Sequence, residues 1–244
     1  MYYDEYGGGE LPTVILLHGA FFVDTYARQY ALQDRFHLVV PHIMGFGKAA
    51  GEIFYTEAAV RSLCTFAERY EKPLNLIGFS LGAQLAFKLI SDAPELFDRA
   101  VIVSPWLVNK SEIPDKMMAG NLKMLSQLKN GLICRMVASI SGVPKPSREE
   151  FVGYMRNVSE ETVRNCVDNG ISLDSEAGFS RCKTRVLALA GGKEPDDIQN
   201  SVKRMAEMNR YCECRIWKEA RHNIPTAFAK RFNETVCSFF ASDR

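Results

Sequence analysis

The chain has 244 residues, of which 47% are hydrophobic, so it is long enough to bury one substantial core. Its 30 basic and 29 acidic residues leave a formal charge of +1, and no Lys/Arg stripe with interleaved aromatic residues is present. This composition argues against nucleic acid as a partner and favours a small molecule.

Short apolar runs alternate with segments of helical length through the first half of the chain. Such runs are typical of strands buried on both faces of a parallel sheet. The predicted strands are residues 13–17, 36–40, 74–77 and 99–103, and the predicted helices are residues 24–34, 56–70 and the segment after Ser80. The alternation predicts an α/β fold with a doubly wound, mostly parallel sheet, whose ligands bind at the carboxyl ends of the strands.

The alternation stops after residue 106. No strand is predicted from residue 107 to 184, whereas helices are predicted at residues 114–129 and after Ser147 and Ser159, which have the form of helix starts. Strands then resume at residues 185–190 and 214–217, with helices at 195–209 and 224–240. We therefore predict a core formed by residues 1–106 and 185–244, with a helical cap at 107–184 inserted in it.

The segment Gly78-Phe79-Ser80-Leu81-Gly82 joins the third predicted strand to a helix. It has the G-x-S-x-G pattern of a nucleophile elbow, a sharp turn that lifts the serine hydroxyl clear of the strand. Small residues on either side of the serine let the neighbouring backbone approach closely. A serine before a helix is also a common N-cap, which is the alternative interpretation. The strand before Ser80 and the helix after it favour the nucleophile.

A serine hydroxyl is a weak nucleophile and needs a base within hydrogen-bond reach, together with a group that orients the base. Of the four histidines, His18, His37 and His42 precede Ser80. Only His222 lies in the C-terminal part, in the loop after the last predicted strand. His222 is therefore the candidate base, and the alternative is an ordinary exposed loop histidine.

With the elbow, His18-Gly19-Ala20 upstream and His222 downstream, the chain resembles the α/β-hydrolase superfamily over nearly its whole length. In that family the acid lies between serine and histidine in the chain, usually as Gly-x-x-Asp after the next-to-last strand. Glu194 occupies this position, so the resemblance implies that Glu194 is the acid. Asp196 and Asp197 are the alternatives, although acids just after Pro195 are also expected at a helix start.

The resemblance implies further roles. The oxyanion of an acyl-transfer reaction would be bound by the backbone N–H groups of Leu81 and Ala20. Phe21 and Trp106, each just beyond a predicted strand end, are candidate substrate contacts, or else core residues.

Two differences from the common family pattern stand out. Family members often have Asp-x-x-Gly-x-Gly-x-Ser after the second of these strands, where this chain has His42 in place of Asp and Ala49 in place of Ser. This difference affects the assignment of the chain to a subfamily more than it affects the predicted chemistry. The chain also begins close to its first apolar strand, so we expect the usual opening antiparallel strands to be missing or vestigial, and about six parallel strands to remain.

The resemblance implies a serine hydrolase that cleaves a small or medium carboxylic ester of apolar character through an acyl-enzyme. The same site could instead cleave a thioester, an amide, a lactone or a carbon–carbon bond. A different class of function, a non-hydrolytic small-molecule receptor, is also compatible with the fold.

No cofactor, metal site or membrane segment is predicted. Phosphate-binding and dinucleotide fingerprints are lacking, and no apolar run approaches membrane-spanning length. Cys212 and Cys214 have no second matching pair and are interpreted as free thiols. The odd, scattered set of seven cysteines and an N-terminus unlike a signal peptide predict a cytoplasmic protein.

Overall fold

The structure is a computed structural model that describes residues 1–108 and 115–242. In these residues a seven-stranded sheet has the order β1-β3-β2-β4-β5-β6-β7. The strands are β1 Tyr3–Tyr6, β2 Thr13–Leu17, β3 His37–Pro41, β4 Leu74–Phe79, β5 Phe97–Val103, β6 Arg185–Gly191 and β7 Cys212–Trp217. Only β1 pairs antiparallel, with β3, so the remaining six strands form the parallel sheet that was predicted. The four-residue β1 is the vestigial opening strand.

Helices cover both faces of the sheet, and an apolar core lies on each face. The helices are α1 Thr56–Ala67, α2 Leu81–Asp92, α3 Asp115–Leu128, α4 Gly131–Ile140, α5 Arg148–Asn157, α6 Glu160–Val167, α7 Asp196–Met208, α8 Ile224–Ala227 and α9 Ala229–Ala241. Successive strand residues point to opposite faces, so in β2 Ile15 belongs to one core and Leu16 to the other. The predicted doubly wound, mostly parallel α/β fold is confirmed.

Helices α3 to α6 lie between β5 and β6 in the chain, in the segment predicted to be a helical cap. Helix α3 contacts α4, α5 and α6, and α5 contacts the short 3-10 helix Gly47–Ala49. Buried side chains of the segment, among them Phe151 and Val163, join the same apolar core as α1 and α2. Residues 109–114, including the predicted helix start at 114, lie outside the described residues. The cap boundaries at 107 and 184 stay predictions.

The two serines predicted to start helices in this segment differ in what they do. Ser159 caps α6, because its hydroxyl oxygen accepts a hydrogen bond from the backbone N–H of Thr162. Ser147 precedes α5 but its side chain makes no capping bond.

Two helix predictions were wrong in detail. The segment predicted as a helix at residues 24–34 forms short 3-10 helices, at Val23–Tyr26 and Tyr30–Leu32. The buried Gln29 amide donates to the Pro225 carbonyl far along the chain, and this tertiary partner outweighs local helix propensity. The predicted helix at 224–240 is interrupted at Phe228, where the backbone leaves helical geometry, which separates α8 from α9.

All seven cysteines are free thiols. Burial raises the pKa of the Cys212 thiol to about 12, so this thiol stays protonated at neutral pH. Within residues 1–108 and 115–242, no group of three or more His, Cys, Asp or Glu side chains is arranged to hold a metal ion. In the same ranges no helix combines the length and the apolar character needed to cross a bilayer.

Candidate active site

Ser80 occupies the turn between β4 and α2, with φ 54° and ψ −115°. A positive φ is costly for a residue with a side chain and persists only where the surroundings enforce it. The flanking glycines permit this packing, because a Cβ at Gly78 would overlap the Gly82 carbonyl and a Cβ at Gly82 would overlap the Leu17 carbonyl. The backbone N–H of Ser80 donates to the Val103 carbonyl at 2.9 Å, which ties the turn to the end of β5.

The imidazole of His222 lies between Ser80 and Glu194. Its Nε2 is 3.0 Å from Ser80 Oγ, and its Nδ1 is 2.7 Å from Glu194 Oε1. Because an ionised carboxylate only accepts hydrogen bonds, Nδ1 carries the proton and Nε2 is left to accept from the Ser80 hydroxyl. The Glu194 side chain is fully buried, whereas that of His222 is 50% exposed. The three predicted side chains therefore meet, although 142 residues separate Ser80 from His222.

The carboxylate oxygen of Glu194 that does not contact His222 accepts two other hydrogen bonds. Glu194 Oε2 accepts from the backbone N–H of Gly191 at 2.6 Å and from the Ser104 hydroxyl at 2.8 Å. Ser104 is buried directly after β5 and, like Ser80, has φ 54°. Sequence reasoning missed Ser104, although its place at the carboxyl end of a predicted strand was a usable signal.

The alternative acids occupy different positions. Asp196 and Asp197 form the first turn of α7, after Pro195, where negative charge complements the helix dipole. The carboxylate that reaches His222 is that of Glu194.

The turn after β2 lies next to Ser80, and Gly19, Ala20 and Ser80 line the same cavity. His18 stabilises this turn, because its Nδ1 donates to the Gly19 carbonyl at 2.7 Å and its Nε2 accepts from the Ile43 N–H at 3.1 Å. Complete burial lowers the pKa of His18 to about 3, so its imidazole is neutral. Among the described residues, the N–H groups of Ala20 and Leu81 donate to no protein acceptor. They remain the predicted oxyanion donors.

A cavity of about 390 Å³ opens at Ser80, and both predicted aromatic contacts line it. Phe21 and Trp106 are nevertheless almost fully buried, at 3% and 8% exposure. The inserted helices contribute Met117 and Met124 to the walls. Most of the lining is apolar, which suits a hydrophobic group of a substrate.

A second cavity of about 270 Å³ is also lined by His222. Phe22, Phe79 and His222 line both cavities, so the two cavities adjoin each other. The second cavity also contacts Asp24, which sequence reasoning did not single out.

The altered segment at His42 has a structural explanation. His42 is buried, its Nδ1 accepts from the Lys48 N–H at 2.8 Å, and its Nε2 donates to Asp4 Oδ2 at 2.9 Å. The hydrogen bond from His42, followed by that from the Lys48 ammonium, lowers the pKa of Asp4 to about 2. His42 thus connects this turn to the Asp4 carboxylate of β1.

The sheet order, the serine turn after β4 and the histidine loop after β7 together define an α/β-hydrolase fold. The family model described as alpha/beta hydrolase fold matches residues 12–130. The chain has the α/β-hydrolase fold, and the resemblance to the α/β-hydrolase superfamily that the sequence predicted is confirmed.

Solved structures of similar fold include several enzymes. An esterase from Exiguobacterium antarcticum is 16% identical, with 99% of this chain and 95% of that chain covered and a TM-score of 0.74. A carboxylesterase from the thaumarchaeon Nitrososphaera gargenis is 15% identical, with 98% and 93% covered and a TM-score of 0.72. A meta-cleavage product hydrolase from Pseudomonas fluorescens IP01 is 19% identical, with 98% and 93% covered and a TM-score of 0.67. At such low identity the likeness establishes the fold. No curated protein matches the chain significantly.

Proposed function

We propose that the protein is a serine hydrolase that cleaves a small or medium carboxylic ester through an acyl-enzyme. The observation that carries the proposal is the position of His222, with one ring nitrogen 3.0 Å from Ser80 Oγ and the other 2.7 Å from the buried Glu194 carboxylate. This is the arrangement of nucleophile, base and orienting acid that acyl transfer requires. The esterases of similar fold are consistent with it.

In the first half-reaction Ser80 Oγ attacks the ester carbonyl carbon while His222 Nε2 takes the hydroxyl proton. The carbonyl oxygen becomes an oxyanion, which the N–H groups of Ala20 and Leu81 stabilise. The intermediate collapses, the bond to the alcohol oxygen breaks, and His222 gives its proton to the departing alcohol. Glu194 keeps the imidazole in the required tautomer and stabilises its positive charge.

In the second half-reaction water attacks the acyl-serine. His222 accepts one proton of that water, and the same backbone N–H groups stabilise the second oxyanion. Collapse returns the proton to Ser80 and releases the carboxylic acid. No redox partner or cofactor takes part in either step.

The bond that is cleaved is the open part of the proposal. A thioester, amide, lactone or carbon–carbon substrate would use the same serine and histidine. A receptor without hydrolysis is disfavoured by hydrogen-bond distances that already suit proton transfer between Ser80 and His222. An activity panel of esters, thioesters, amides and lactones of matched acyl length distinguishes these substrates.

The nucleophile is tested with a fluorophosphonate probe, which labels an activated serine covalently. We expect labelling of the native protein, none of Ser80→Ala, and normal labelling of Ser180→Ala, which removes an exposed hydroxyl elsewhere. Ester hydrolysis should fall by a factor of about 10⁴ or more in Ser80→Ala and in His222→Ala. Native folded protein that resists the probe would contradict the proposal.

A further inference from the structure

The two cavities beside His222 differ in composition. The larger one contains Ser80 together with the predicted oxyanion donors Ala20 and Leu81, and its other walls are mainly apolar. The smaller one shares Phe22 and Phe79 with it, and Asp24 is the one carboxylate that the described residues contribute to its lining.

Asp24 is an unusual residue for such a position. It is half-buried, and no hydrogen bond or ion pair within the described residues reaches its carboxylate. Burial, followed by the negative charges of Asp4 and Glu150, raises the pKa of Asp24 to about 6, with His42 acting weakly in the opposite direction. The carboxylate is therefore ionised at neutral pH without a neutralising partner, which is unfavourable unless a ligand supplies one.

The position of His222 indicates which part of an ester occupies each cavity. The acyl carbonyl must meet Ser80 and the oxyanion donors, which line only the larger cavity. The departing oxygen must lie at His222 Nε2, which protonates it. The alcohol part can extend from there into the smaller cavity, which His222 lines together with Asn223 and Thr226.

We propose that the smaller cavity is a cation site, so that the substrate is an ester of an apolar acid with an alcohol bearing an ammonium group. This inference rests on the proposed function. The ammonium group pairs with the Asp24 carboxylate and lies beside the aromatic rings of Phe22 and Phe79, whose quadrupoles attract cations. Thr25 and Thr226 complete a partly polar lining, and no Lys or Arg side chain of the described residues takes part in it.

The test compares two esters of nearly equal shape at pH 7.5: 2-(dimethylamino)ethyl butyrate, which carries a cation, and 3-methylbutyl butyrate, in which carbon replaces the nitrogen. We expect kcat/KM to be about tenfold higher for the cationic ester, and this ratio to approach one in Asp24→Asn. The control Asp174→Asn removes an exposed charge outside the cavity and should keep the wild-type ratio. Equal rates for the two esters in the wild type, or a ratio that Asp24→Asn leaves unchanged, would overturn the cation site.

A binding measurement separates this inference from the proposed function. Calorimetric titration of Ser80→Ala protein with 2-(dimethylamino)ethyl butyrate should give binding that weakens about tenfold when Asp24→Asn is added. Fluorophosphonate labelling reports independently on the serine chemistry. Labelling without discrimination between the esters would refute the cation site alone, and binding without labelling would refute the hydrolase alone.

Discussion

Ser104 Oγ donates a hydrogen bond of 2.8 Å to Glu194 Oε2, while the other oxygen of the same carboxylate accepts from His222 Nδ1 at 2.7 Å. Ser104 follows β5 and Glu194 follows β6, and these strands are neighbours in the sheet. The carboxylate is thus held on both sides inside the protein, and its orientation toward His222 depends on a residue 90 positions away.

Replacing Ser104 with Ala should lower kcat for ester hydrolysis about tenfold, because a hydrogen bond to a buried charged group contributes about 1.5–3 kcal/mol and part of this loss reaches the transition state. The Gly191 N–H still binds Glu194, so activity should remain measurable. Steady-state kinetics on folded protein checks this, with Ser180→Ala as the control. A kcat equal to that of the wild type would show that Ser104 does not position the acid.

Replacing Glu194 with Gln should reduce kcat by a factor of about 10⁴, since a neutral amide neither enforces the His222 tautomer nor stabilises the imidazolium. Glu194→Asp keeps the negative charge, but its side chain is one methylene shorter, so the carboxylate lies farther from His222. We expect this misplacement to reduce kcat on the order of 100-fold. Asp196→Asn and Asp197→Asn serve as matched comparisons and should retain nearly full activity. If either of them instead abolished hydrolysis, the assignment of Glu194 would fail.

Replacing Asp24 with Asn should stabilise the protein at pH 7.5. The pKa of Asp24 is raised from 3.8 to about 6, so between these pH values the native state binds more protons than the unfolded state. The contribution of Asp24 to the free energy of unfolding therefore decreases as the pH rises from 3.8 to about 6, and it stays low above that pH. After allowing for solvent screening, the variant should gain about 1–2 kcal/mol at pH 7.5 and little at pH 4.

Urea denaturation at the two pH values measures the effect of Asp24→Asn. Asp174→Asn, which alters an exposed carboxylate, should follow the wild type. An identical pH dependence for Asp24→Asn and the wild type would contradict the raised pKa.

Replacing Asp4 with Asn should destabilise the protein at neutral pH and matter little in strong acid. The pKa of Asp4 is lowered from 3.8 to about 2, so its ionised form stabilises the fold above pH 3.8, and this contribution is lost as pH falls toward 2. Because the Asp4 side chain is 36% exposed, solvent screening reduces the expected loss at pH 7 to about 1 kcal/mol. Acid titration of unfolding should show the two proteins converging between pH 4 and pH 2; parallel curves would contradict this.

Much of the site could be predicted because its signals are local. Ser80 was recognisable from two glycines and the apolar run before it, and His222 from its position after the last strand. Glu194 followed from the family resemblance, and the structure brings its carboxylate to His222. Such patterns are readable because turn geometry and strand burial each demand particular residues at short spacing.

Other features had no local signal. The 3-10 turns at residues 23–32 depend on Gln29 reaching Pro225, and the low pKa of Asp4 depends on β1 pairing with β3. In both cases the interacting residue is far away in the chain, so a short stretch of sequence around the affected residue does not reveal it.

The sequence by itself determined the alternation of strand and helix and the α/β-hydrolase fold, and it singled out Ser80 and His222 as candidates for the nucleophile and the base. Only the tertiary structure decided that Ser104 binds Glu194 and that His222 lines two cavities, one of them in contact with Asp24. The physical reason is that apolar periodicity and turn residues act over a few positions, whereas side-chain partners at strand ends are chosen by the order of strands in the sheet.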